Sequence, residues 1–399
     1  MEEWKLTKIG KICRKVCSGG TPKSTVDEYY GGGIPWLNTK EVNFNRIYST
    51  ESTITETGLQ NSSAKWIDKH AVIIAMYGAT AAKCAIGMIP MTTNQACCNL
   101  MIDEKQADYR FVYYSIANAY SKLASLANGG AQQNLNAQLI KDFEIPLPSI
   151  FTQRKIANIL TAIDDKIELN NRINHNLEEQ AQALFKSWFV DFEPFKNGDF
   201  KETELGRIPI GWNVIPFQSF ITASKEKVMV GELPEYSVTN NGIIPRDLKF
   251  NKKLSQSTSK NKVLRHNDLV FGMSRDILNW GIMEDEIGSV SSAYNVYTIN
   301  KDIITPKYLR LYMIAKLPYF NDLIGTAARE GQGLDKGALN QKKVYIPSTA
   351  ICLKFFNIYD RLIEMQKEVS LEAQQLANYR DYILPHLLSG TLISNSINV

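Results

Sequence analysis

The feature that most constrains this chain is that it repeats itself once, with a period of about 200 residues. In the first half Trp4 opens a short strand-like run. Val72–Met76 is an apolar run followed by Tyr-Gly, and Asn94–Met101 carries a second apolar strand. A short helix with paired aromatics follows over Asp108–Tyr120, then a Gly/Gln/Asn loop over Asn128–Gln138, and Ile145-Pro-Leu-Pro148 closes the unit. The second half keeps this order from Trp212 onward: Asp268–Met273, Ser289–Ile299, Pro306–Ile314, the Gly-rich polar loop Gly325–Asn340, and Val344-Tyr-Ile-Pro347. Such a period is too long for a solenoid and implies a duplicated domain.

A long helical pattern follows each copy. From Gln153 the apolar positions are Ile156, Leu160, Ile163, Ile167, Leu177, Ala181, Leu184 and Trp188, in steps of four and three. The same period puts Asn170 and Asn174 on that seam. Proline is absent until Pro194, which allows ~35 residues of helix, roughly 50 Å long. The second seam is Ile358, Leu362, Met365, Val369, Leu376, Tyr379 and Ile383, with Glu372 as its exception and Pro385 as a stop or kink. Two seams of similar length can bury each other, with Asn170 and Asn174 setting the register. Packing of each helix on its own domain fits the same spacing. The expected fold is α+β (mixed α/β), pseudo-two-fold, with two similar domains separated by two long helices that pair as an antiparallel coiled coil. Duplex DNA repeats every ~34 Å, so two modules at a fixed separation suit a target in two parts.

Composition permits this and excludes several alternatives. Of 399 residues, 44% are hydrophobic and 22% charged, enough for each half to bury a core. The net charge is only +4, but Lys249–Arg265 holds six basic residues and no acidic one. That run suits phosphate oxygens, and it also suits a solvated loop. The six cysteines lack framework spacing, no signal-peptide pattern opens the chain, and no apolar run reaches 18 residues. Reduced thiols and a cytoplasmic location are expected.

Residues with catalytic spacing are scarce. There is no P-loop, no Gly-x-Ser-x-Gly elbow and no Asp/Asn-Pro-Pro-Tyr motif. His70, His175, His266 and His386 have no metal-ligand spacing, and Cys13, Cys17 and Cys97-Cys98 read as buried thiols more readily than as zinc ligands. Asp103-Glu-Lys105 fits the short carboxylate–lysine pattern of a metal-dependent nuclease, and equally a surface turn. A stand-alone nuclease using Asp103, Glu104 and Lys105 is therefore the alternative, with an orphan DNA-binding protein as a milder one.

Base reading needs Arg or Lys for guanine and Asn or Gln for adenine. The candidates in polar loops of the first half are Lys23, Asn38, Lys40, Thr80, Lys83, Gln132, Gln133 and Asn134. In the second half they are Lys252, Lys253, Lys260, Lys262, Arg265, Ser274, Arg275, Arg329, Gln332 and Lys336. The apolar Leu184–Phe192 stretch, with Phe185, Trp188, Phe189 and Phe192, is a candidate partner surface, or else packs within the chain.

Several motifs resemble one family in order along the chain. Ser18-Gly-Gly-Thr-Pro-Lys23, Asp27-Glu-Tyr-Tyr30 and Gly33-Ile-Pro-Trp-Leu37 resemble the opening of a target recognition domain in type I restriction–modification DNA-specificity subunits. Gly129–Asn136 and Ile145-Pro-Leu-Pro148 resemble its end. Gln153-Arg-Lys-Ile-Ala157, Ile163-Asp-Asp-Lys-Ile167 and Leu184–Phe192 are similar to the family's central helix and its tail. Tyr379-Arg-Asp-Tyr-Ile-Leu-Pro385 and Leu388-Ser-Gly-Thr-Leu392 resemble its C-terminal pattern. The second domain lacks the Gly-Gly-Thr-Pro opening.

The resemblance implies target recognition domains at 1–148 and 211–346, a central helix at 149–192, a linker at 193–210, a distal helix at 347–392 and a tail at 393–399. It implies a non-catalytic subunit that reads a bipartite double-stranded DNA target, binds methyltransferase subunits and can be joined by a restriction subunit. S-adenosylmethionine, ATP and Mg2+ would belong to those partners, with no metal and no cofactor on this chain.

Overall fold

A computed structural model describes residues 4–126, 134–229, 233–246, 260–274, 276–325 and 333–391. The chain divides into two compact units, one formed by Met1–Arg172 with Val369–Val399 and the other by Ile173–Glu368. The division falls inside the long helices, so each unit takes a share of both.

In the first unit, Val72–Ala75 and Cys97–Ile102 are buried at every position, without alternation, because both of their faces are covered. They lie inside a five-stranded sheet with the order Cys13–Ser18, Cys97–Ile102, Val72–Ala75, Cys84–Gly87, Asn45–Ile47. A second, four-stranded sheet has the order Ser52–Ile54, Tyr30–Leu37, Met91–Thr93, Trp66–Ile67. Helix Tyr109–Asn118 starts at Asp108, whose side chain accepts from the Arg110 and Phe111 N–H groups. It buries Phe111, Val112 and Ile116. Lys5–Lys8 pairs antiparallel with Glu144–Leu147 and ties the ends of the domain together.

The Gly-Gly of the opening motif is a packing requirement. A Cβ on Gly19 would lie 2.1 Å from the Thr93 carbonyl oxygen, and one on Gly20 would lie 2.2 Å from the Ala64 nitrogen. The Gly20 carbonyl accepts from the Trp36 indole at 2.9 Å, and the Pro22 carbonyl accepts from the Tyr30 hydroxyl at 2.7 Å. The three motif segments thus lock one another.

The second unit repeats the plan. Its sheet has the order Ile221–Ser224, Asn295–Ile299, Leu269–Phe271, Trp280–Ile282, which corresponds to the first four strands of the five-stranded sheet. Asn213–Pro216 pairs with Lys343–Ile346 as the closing clasp, and helix Pro306–Ala315 is capped by Thr305. Single backbone positions match as well. His70 and Asn267, in equivalent turns, have φ of 71° and 70°. Their N–H groups donate to the Gly87 and Met283 carbonyls at 2.6 and 2.8 Å. Among the described residues, the edge strand Asn45–Ile47 of the five-stranded sheet has no counterpart in the second unit's sheet.

The two long helices are Ile150–Phe189 and Thr349–Leu388, each of 40 residues. In the first unit Asp164 meets Arg380, while Lys166 and Asn170 meet Glu372, an antiparallel order. Asn170 is buried, and its Nδ2 donates to Glu372 Oε2 at 2.9 Å. Asn170 and Glu372 are therefore partners, but Ile358, Met365 and Tyr379, which the period places on the second seam, are exposed, because the buried stripe runs through Ala373 and Ile383.

Two expectations need correction. The 193–210 stretch is not a plain linker: Glu193–Phe195 is a short 3-10 turn, and Phe200–Thr203 pairs with Gly206–Pro209 as a hairpin. The aromatic stretch at the end of the central helix is not a free surface. Phe185 and Phe189 are buried in the second unit's own core, and Trp188 and Phe192 pack against it. Phe355, Trp212, Tyr308 and Tyr345 surround them, so their apolar area is already buried by ring contacts within the unit.

Candidate nucleic-acid interface

In the first unit, strands Val72–Ala75 and Cys84–Gly87 form a hairpin whose loop spans 76–82, bounded by the Ala75 N–H donating to the Lys83 carbonyl at 3.0 Å. Several sequence candidates gather around this loop. Thr80 Oγ1 donates to the Thr39 carbonyl at 2.9 Å, joining the loop to the turn that holds Asn38 and Lys40. Lys83 Nζ donates to Asn43 Oδ1 at 2.7 Å. The Leu135 N–H donates to the Met76 carbonyl at 3.0 Å, which brings exposed Asn134 alongside. Asn38, Lys40, Thr80, Lys83 and Asn134 thus share one face, and Lys23 is exposed.

Their present partners separate the candidates. The Asn38 side chain accepts from the Lys40 N–H, and Glu41 completes a capping box, so Asn38 shapes its turn. Lys40 pairs with Glu51 at 2.5 Å on the surface, and that hydrogen bond raises its pKa. An exposed pair of this kind is weak and can be exchanged for a phosphate. Sequence reasoning missed Tyr77, an exposed ring at the start of the loop. The Tyr-Gly that follows the apolar run was its signal.

The second unit presents the equivalent hairpin. The Gly272 N–H donates to the Asn279 carbonyl at 2.9 Å, and the loop between them exposes Met273 and Ile277. With Val238, Thr239, Asn240, Asp276 and Asn279 they line a cleft of about 410 Å³. Ser274 is not available as a reader: it is 3% exposed, and its Oγ accepts from the Asn279 N–H at 2.8 Å. Its hydroxyl is used to close the loop.

A basic group lies on a neighbouring strand edge. The Val228 N–H donates to the Asn261 carbonyl at 3.1 Å, and Lys227 bridges Lys262, which places Lys225 and Lys227 beside Lys260 and Lys262. The pKa of Lys262 is lowered, first by burial and then by the like charge of Lys336. An anion there would relieve that repulsion. Lys225 and Lys227 escaped the sequence reading because they lie outside the basic run. Arg265 is already engaged through two hydrogen bonds to Glu226, at 3.0 and 2.6 Å. Gln132, Gln133, Lys252, Lys253, Arg275, Arg329 and Gln332 lie outside the described residues.

The alternative site has an ordinary role. The Asp103 carboxylate accepts from the Lys105 N–H at 3.1 Å and from Gln106 Nε2 at 2.8 Å, which lowers its pKa and caps the turn before helix Tyr109–Asn118. No group of His, Cys, Asp or Glu that could hold a metal occurs among the described residues. Burial pushes the Cys13, Cys97 and Cys98 thiols up to about 12. They stay protonated and act as small apolar side chains. Among the described residues no helix is long and apolar enough to cross a membrane.

The fold is a repeated α/β domain, each copy on a share of two long helices, with loops that differ on matching scaffolds. Known proteins share this design. Residues 1–179 match the family model described as the type I restriction modification DNA specificity domain. The MjaIX specificity subunit of Methanocaldococcus jannaschii is 27% identical over 98% of this chain and 94% of its own length. The EcoR124I/EcoR124II specificity subunit of Escherichia coli is 28% identical over 47% of this chain and 46% of its own. The crystal structure of the type I S subunit from M. genitalium has the same fold, with a TM-score of 0.58 at 14% identity, over 97% of this chain and 96% of that one. The chain is thus similar along almost its whole length to type I restriction enzyme specificity subunits, and its first 179 residues match their specificity-domain model.

Proposed function

We propose that this chain reads a split DNA target, one half with each unit, and holds methyltransferase subunits over the intervening DNA, with a restriction subunit able to join. The recurrence of one scaffold with two different loops carries this reading. His70 and Asn267 keep the same backbone, while loop 76–82 and the segment between Gly272 and Asn279 share almost no side chains. Conserved geometry with divergent tips is what two readers of different sequences require. The lysines around Lys262 and Lys336 supply phosphate contacts, which position the protein without reading bases.

S-adenosylmethionine, ATP and Mg2+ act in the partner subunits on this reading, within the cytoplasm. With the aromatic stretch of the central helix buried, the exposed side of the distal helix, which carries Leu371, Tyr379 and Tyr382, is the better docking face for a methyltransferase.

Methylated bases should be mapped by long-read sequencing in cells expressing the methyltransferase subunit, with and without this chain. A new split motif that depends on the chain is expected. Methylation that is unchanged by the chain would overturn the reading.

A further inference from the structure

The strand Asn45–Ile47, which has no counterpart among the second unit's described residues, runs parallel to Cys84–Gly87 at the edge of the five-stranded sheet. Its central residue, Arg46, points away from the loop face and into the central helix. The guanidinium forms an ion pair with Asp165, lies 3.4 Å from Glu168 and donates to the Thr161 carbonyl at 3.4 Å. Tyr48 Oη donates to Glu168 at 2.8 Å. Next to them Asp164 accepts from Tyr114 Oη at 2.5 Å and from Arg380 of the distal helix at 2.8 Å. Arg46, Tyr48, Asp164, Glu168 and Arg380 line a cavity of about 590 Å³.

The Arg46 side chain is only 10% exposed, which removes it from DNA. Burial opposes its charge, yet the Asp165 hydrogen bond and Glu168 outweigh that penalty and leave the pKa above the usual guanidinium value. The domain also rests on the helix through Ile156, Ala157 and Leu160, which pack into the core with Phe111. Apolar contact of that kind is non-directional and tolerates small rotations. Charge-assisted hydrogen bonds from a planar guanidinium do not.

We propose that Arg46, assisted by Tyr48, is a positioning residue that fixes the angle of the first recognition domain on the helices, and so sets how strictly the chain discriminates the spacing of a split target. The inference rests on the DNA-reading function proposed above. Arg46 touches no base in this scheme and acts through Asp165 and Glu168.

The test uses the full chain assembled with its methyltransferase subunits. Methylation is compared on targets with the native spacing and with one base pair added or removed. Arg46→Ala should raise methylation of the off-length targets by roughly ten-fold relative to the native one, the scale of one lost charge-assisted hydrogen bond. Base preference in both half-sites should not change, and Arg46→Lys should restore only part of the discrimination. Tyr48→Phe, which removes one hydroxyl, should give a smaller shift in the same direction and serves if Arg46→Ala does not fold. Unchanged spacing discrimination in folded variants would overturn the proposal, and so would an altered base preference. If the unmodified complex methylates no split target, the proposed function fails instead.

Discussion

The two units solve one problem, seating an α/β domain on a helix pair, with different chemistry. The first unit uses polar groups. Gln153, 1% exposed, accepts from the Asp108 N–H at 2.9 Å and donates to the Pro148 carbonyl at 2.9 Å, tying the helix start to the domain. Arg46, Tyr48 and Tyr114 then engage three carboxylates of the central helix. In the second unit the position equivalent to Gln153 is Cys352, and an aromatic cluster does the seating. Phe189 contacts Phe185, Trp212, Tyr308 and Phe355, and the Tyr345 hydroxyl donates to the Phe189 carbonyl at 2.5 Å. Aromatic burial stabilises more per residue, while hydrogen-bonded charge fixes direction. A duplicated domain can therefore keep its scaffold while its two attachments diverge.

The comparison breaks most visibly at Phe189. Phe189→Ala leaves a cavity among five rings and should destabilise the second unit by ~3–5 kcal/mol. Denaturant unfolding should show one transition moving and the other staying in place. A loss below about 1 kcal/mol would mean that the cluster relaxes around the gap and does not seal the seat. In the first unit Gln153→Ala strands a buried N–H and a carbonyl, for an expected loss of ~1–3 kcal/mol. Gln153→Cys, which imitates the second unit, should cost about as much, because the groups that Gln153 satisfies have no counterpart there. Recovery of full stability by cysteine would show that a water takes over those bonds.

Much of this was legible in the sequence wherever periodicity carried the information. The repeat, both long helices and the closing strands follow from apolar spacing, whereas Asn170 and Glu372 read only as separate polar interruptions and their pairing needed the structure. The helix that begins at Asp108 and the strand Val72–Ala75 needed no tertiary knowledge. The site was less legible, because polar side chains have no period. Ser274 and Asn38 read as candidate readers, yet each closes its own turn, and hydrogen-bond competition of that kind depends on the fold. Arg46 looked like any surface arginine, since only the parallel strand Asn45–Ile47 turns it toward Asp165. Leu184–Phe192 had the composition of an interface, and interiors and interfaces draw on the same residues.

The smallest expected effect concerns the register pair. The Asn170 hydrogen bond, and then Lys166, hold the Glu372 carboxyl below its ordinary value. A depressed folded-state pKa means that the ionised form is the stabilising one. The contribution is therefore fully present above the unfolded glutamate pKa and is lost as pH falls through the lowered folded value. Solvent reaches the carboxylate, so screening keeps the effect modest and salt reduces it further. Comparison of the chain with Glu372→Gln should show the difference in unfolding midpoint at about pH 7 and its disappearance once the pH lies below the lowered folded value, where both side chains are neutral. A difference that persists at the lower pH would assign the role of Glu372 to shape at the seam.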